Sequence, residues 1–86
     1  MATNTQSTES KVLRVQRMQH CEIVLVGTLT GYQVKRVQPG ITQYMTDAGR
    51  WTKYEDQAFT WANFEGAAAE YVVQCNNPRS NGFRVS

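Results

Sequence analysis

Near residue 60 the apolar residues change period, and that one change sets what the chain can become. Before it they alternate or come in short runs, as strands require, at residues 12–16, 21–26, 32–37, 41–46 and 50–54. After it, Phe64, Ala68, Tyr71, Val72 and Cys75 fall at the i, i+4, i+7, i+8, i+11 spacing of one helical face. Strands first and one helix afterwards read as an α+β fold: a small antiparallel sheet of about four to five strands packed on one principal helix in the C-terminal half, in two layers.

The run at 21–26 leaves no polar face after Glu22, as expected of a strand covered on both sides. In the first strand, alternation puts Leu13 and Val15 on one face and Arg14 on the other. Turns are expected at residues 28–31, at Pro39-Gly40 and at Asp47-Ala48-Gly49, the last closing a hairpin with residues 50–54. Thr60 has the chemistry of a helix N-cap, because its hydroxyl can accept from an otherwise unpaired N–H of the first turn. Gly66 costs a helix about 1 kcal/mol against alanine, which points to a close approach there. Asn76-Asn77-Pro78 stops the helix, and Phe83-Arg84-Val85 reads as a last short strand at a sheet edge.

With 86 residues there is room for one domain, expected over residues 11–86. The opening MATNTQSTES reads as a disordered polar tail, with no apolar run behind a basic start to suggest a signal peptide. The longest apolar run, Ile23-Val24-Leu25-Val26, is far short of the ~20 residues of a membrane span. Two cysteines, Cys21 and Cys75, make no disulfide framework and read as buried thiols of a cytoplasmic protein.

Groups suited to catalysis are few. His20 is the lone histidine, and its neighbour Cys21 would point to the opposite face of a strand, so the two make a poor nucleophile–base couple. Neither a C-x-x-C pair nor a phosphate-cradling glycine loop occurs, so no metal or cofactor is expected. Glu55-Asp56 precedes the helix and reads as solvated charge that favours its N-terminal dipole. These observations lead to the expectation that the protein is not an enzyme.

Charge is sorted along the chain, which bears on partners. The net charge of +2 hides a basic stretch with Lys11, Arg14, Arg17, Lys35, Arg36, Arg50 and Lys53 against Glu22 and Asp47. From residue 54 to residue 75 there are only acids: Glu55, Asp56, Glu65 and Glu70. Those four carboxylates define a candidate acidic face for another protein, including one with a basic surface that normally holds nucleic acid. A second reading makes Arg14, Lys35, Arg36, Trp51 and Lys53 a nucleic-acid-binding set. It puts Arg14, Gln33, Lys35, Tyr44, Trp51 and Lys53 on the sheet face away from the helix, where rings stack on bases and cations steer the backbone of nucleic acid. The layout of strands, aromatic hairpin and single helix is similar to that of short accessory proteins of phages and mobile elements, a likeness in the order of elements rather than in any motif. It implies an inhibitor or adaptor. Open strand edges add the expectation of pairing with another chain, including a homodimer.

Overall fold

Turn chemistry places the reversals. Thr28 closes the first long turn, with its N–H donating to the Gly31 carbonyl at 2.7 Å and its hydroxyl accepting from the Gly31 N–H at 3.1 Å. Gly40 and Gly49 take the left-handed conformation (φ +79° and +80°) that favours glycine. Thr46 organises the third turn, where its hydroxyl meets the backbone of Ala48 and Arg50. The resulting computed structural model describes residues 11–77. The expected tail at 1–10, Pro78 and the strand expected at Phe83-Arg84-Val85 lie outside the described residues.

Five strands form one antiparallel meander in sequence order: β1 (Lys11–Arg17), β2 (Glu22–Gly27), β3 (Tyr32–Gln38), β4 (Ile41–Met45) and β5 (Trp51–Thr52). A 3₁₀ turn (Glu55–Gln57) leads back across the sheet, and α1 (Phe64–Cys75) packs against β2 and β3. The protein is therefore a two-layer α+β fold. Among the described residues, no helix is long and apolar enough to cross a membrane.

Cross-strand partners share a face, so the register sorts every side chain. Leu25 pairs with Val34 and Ile23 with Arg36. Arg36 in turn pairs with Gln43. This set faces α1, where Cys21, Ile23, Leu25, Val34, Met45 and Ala67 form the core, with Trp51, Trp61, Phe64 and Tyr71 packed around it. The opposite face carries Val24 with Val15 and Lys35, and Val26 with Val12 and Gln33. All four apolar residues of β2 are buried, as its unbroken run predicts.

The register shifts between Val12 and Arg14, so Leu13 is the extra residue of a β-bulge. Simple alternation is overturned there. Val12 and Val15 share the face away from the helix, whereas Arg14, opposite Leu25, shares the helix side with Leu13.

The helix ends where expected, with Cys75 as its last residue and Asn76 as C-cap, but departs from its sequence pattern at its start and along its buried face. Asn63, not Thr60, is the N-cap, accepting from the Gly66 N–H at 2.9 Å. Thr60 lies three residues further out, where its hydroxyl accepts from Gln33 Nε2 at 3.0 Å and ties the connection to β3. The close approach expected at Gly66 is to the Trp61 indole, which a Cβ would meet at 3.0 Å. Ala67, rather than Val72, completes the buried stripe; Val72 is exposed. Asn63→Ala should lower stability by about 1 kcal/mol, a fall of roughly 4–8 °C in melting temperature for a domain of this size. Thermal melts of that variant beside Thr60→Ala check the assignment, and the latter should lose the Gln33 contact without losing helix content.

Candidate functional site

The site residues read from the sequence are divided by the sheet. Arg36 is buried on the helix side, where its Nε donates to Gln43 Oε1 at 2.9 Å and its guanidinium lies 4.9 Å from the Trp51 ring centre. Burial pushes its pKa down from the usual arginine value, with Cys21 acting in the other direction. Trp51 pairs with Met45 and packs on the core. Arg14 is also on the helix side, 5.7 Å from the centre of the Phe64 ring. The expectation that Arg14 and Trp51 share the outer face is therefore corrected: the bulge turns one and the Met45 register turns the other. Gln33, Lys35 and Tyr44 do lie on the face away from the helix, with Lys35 Nζ 6.0 Å from the Tyr44 ring centre. Lys53 is exposed beside its neighbour Tyr54.

Sorting also separates the carboxylates. Glu55 and Asp56 are exposed in the 3₁₀ turn, and Glu55 is felt by the Tyr44 phenol, whose ring faces away from the helix. Glu65 and Glu70 belong to α1, on the other layer, where Glu70 accepts a hydrogen bond from the buried Gln74 amide. No described contact joins the two pairs into one patch.

Cys21 and Cys75 meet at the core as two thiols not joined in a disulfide. Burial is the main reason each thiol is pushed above its ordinary pKa of 9.0. Burial, and then the nearby Cys75 sulfur by its charge and a hydrogen bond, carry the Tyr71 phenol up to about 12. Among the described residues no three of His, Cys, Asp or Glu gather as metal ligands.

This arrangement has a sign for alkaline stability. Below about pH 9 both folded and unfolded chains hold these protons, and the stability is fully present. As pH rises, the unfolded chain loses them first, so stability should fall steadily until Tyr71 ionises near 12. Urea midpoints measured across that range check it, and a flat profile would contradict the packing. Thiol reagents at neutral pH should label the unfolded chain much faster than the native one.

What the sequence pattern missed lies at the end of the sheet beside β1. A broad cleft of about 790 Å³ opens there, lined by Lys11, Leu13, Arg14, Thr30, Tyr32 and Phe64 among others. Its floor is apolar, with Tyr32 and Phe64 edge to face at 5.8 Å. Its rim is cationic. Among the described residues one ion pair joins Arg17 to Glu22 at 3.1 Å, and neither Lys11 nor Arg14 forms an ion pair there. Alternation alone hides this cleft, because only the bulge brings Lys11, Leu13 and Arg14 to the same side.

Fold and site together define a two-layer α+β protein with a one-sided helix, an open edge strand and no assembled catalytic group among the described residues. No family model matches the chain, and no curated protein or solved structure matches it.

Proposed function

We propose that the chain is a small protein-binding module, a non-enzymatic adaptor or inhibitor that works by covering a partner's surface. One observation carries the reading: among the described residues β1 is a seven-residue strand at the sheet edge, with Val12 and Val15 57% and 50% exposed. Edge strands that present both backbone groups and apolar side chains are surfaces on which other chains dock. Two thiols not joined in a disulfide agree with a reducing, cytoplasmic setting. Recruitment of a basic partner by Glu55, Asp56, Glu65 and Glu70 remains a second element of the proposal, with the two pairs acting from different layers.

Affinity capture from a native lysate tests the reading with three baits: wild type, Val12→Asp/Val15→Asp, and Glu55→Gln/Asp56→Asn/Glu65→Gln/Glu70→Gln. The expected result is a partner recovered by wild type and lost with the first variant. If the carboxylate variant alone loses it, the acidic residues carry the contact. Recovery of nothing above background by any bait sinks the reading.

Nucleic-acid binding is the alternative, favoured by the Lys35–Tyr44 pair on the outer face. Three or four phosphates engaged by Lys35 and other cations would give a log–log salt slope of about −2 to −4. Anisotropy titrations with oligo-dT at two salt concentrations measure it, and an affinity independent of salt removes this alternative.

A further inference from the structure

We propose that β1 and the cleft beside it dock an extended acidic segment of another protein, added as a sixth strand. The inference rests on the protein-binding reading above and names the site and the partner's chemistry. Among the described residues β1 is paired on one side only, and it is long, whereas β5 at the far edge has two residues. Among the described residues, its Leu13 and Arg17 carbonyls accept local side-chain contacts from Arg14 Nη1 at 3.3 Å and Gln16 Nε2 at 3.4 Å. Such long, solvent-exposed bonds are readily exchanged for the N–H groups of an incoming strand.

The bulge at Leu13 sets the side-chain code that strand would have to match. Val12 and Val15 project on the outer face, and Lys11 and Arg14 on the helix side. A complementary strand therefore presents apolar residues outward and carboxylates inward. Its apolar end residue would enter the cleft against Leu13, Tyr32 and Phe64, with Lys11 and Arg14 at the rim. Charge complementarity of this kind selects the partner as well as attracting it.

A second copy of the chain fits poorly. Fully overlapped antiparallel pairing of two β1 strands sets Arg14 against Arg14 and Lys11 against Arg17, and like charges directly opposite destabilise a strand pair. Nucleic acid would satisfy the two cations. A phosphodiester backbone, however, has no row of N–H donors for the strand's carbonyls.

The test uses a fluorescent peptide of alternating Glu and Val. The controls are the same peptide with alternate amides N-methylated, a Lys/Val peptide, and oligo-dT. In two-dimensional amide NMR the Glu/Val peptide should shift residues 11–17 first, with affinity that falls as salt is added. Lys11→Glu/Arg14→Glu should weaken it about tenfold or more, and Lys35→Glu should leave it unchanged. Because Arg14 touches Phe64, Arg14→Gln and a thermal melt of each variant separate lost binding from lost fold.

Equal binding of the N-methylated peptide, or no shift at millimolar peptide, overturns the inference. So does tighter binding of oligo-dT through Lys11 and Arg14, or concentration-dependent shifts in β1 without any peptide. If the peptide fails while Val12→Asp/Val15→Asp still abolishes capture, this inference falls and the protein-binding reading stands.

Discussion

Trp51→Ala should lower the melting temperature by roughly 12–24 °C, corresponding to about 3 kcal/mol in a domain this small. The indole is half-buried, so the loss sits at the lower end of what truncating a tryptophan costs. Two contacts go with it. Met45, 1% exposed and opposite Trp51 in the β4–β5 pair, loses its cover. Arg36, buried beneath the ring, loses the aromatic face that offsets part of its desolvation. The same variant discriminates between functions. A ring that stacks on bases would cost affinity for single strands and leave stability nearly untouched. Melting the variant beside an oligo-dT titration of its folded form reads both, and an unchanged melt would remove Trp51 from the core.

Gly31→Ala should cost about 2–3 kcal/mol although it adds one methyl group. Its φ of +158° is a conformation that side chains rarely adopt, and lack of space adds to that strain. A Cβ would overlap the Trp61 carbonyl oxygen and come within 2.9 Å of Thr60 Cγ2. Backbone cannot swing aside as a flexible side-chain tip can. The two hydrogen bonds that join Tyr32 and Trp61, at 2.9 and 2.8 Å, must then open. That bridge delivers the chain from the sheet to the start of α1, so the damage extends to helix docking. Gly40→Ala is the control: it has a left-handed φ of +79° but nothing within 4 Å, and it should lose only about 1 kcal/mol. Denaturant midpoints for both variants decide the matter. Equal losses would mean that close approach at Gly31 is not what holds the connection.

Much of the fold was legible because it is written in local chemistry. Glycines at 31, 40 and 49, with Thr28 and Thr46, mark where the chain turns, and side-chain hydroxyls complete two of those turns. Runs of β-branched residues and one 3.6-residue stripe name the elements between them. Thr60 was misleading because a hydroxyl serves equally well as a cap or as a partner for Gln33, and local chemistry does not choose between them. Asn63 wins by lying immediately before the first helical turn. The candidate site was far less legible. Arg14, Lys35, Arg36, Trp51 and Lys53 are one basic and aromatic set by composition, yet strand register sends Arg36 and Trp51 inward and leaves Lys35 outside.

The sequence by itself determined the class of fold, a small antiparallel sheet of about four to five strands on one principal helix, because period and turn residues act over a few positions. It also determined the sorting of charge along the chain. Only the tertiary structure decided which side each charge occupies. A bulge at Leu13 shifts β1 by one residue, and with a side-chain period of two that single step exchanges the faces. Lys11 and Arg14 thereby meet Tyr32 and Phe64, from β3 and α1, around one cleft. Their meeting depends on long-range pairing that no stretch of sequence contains.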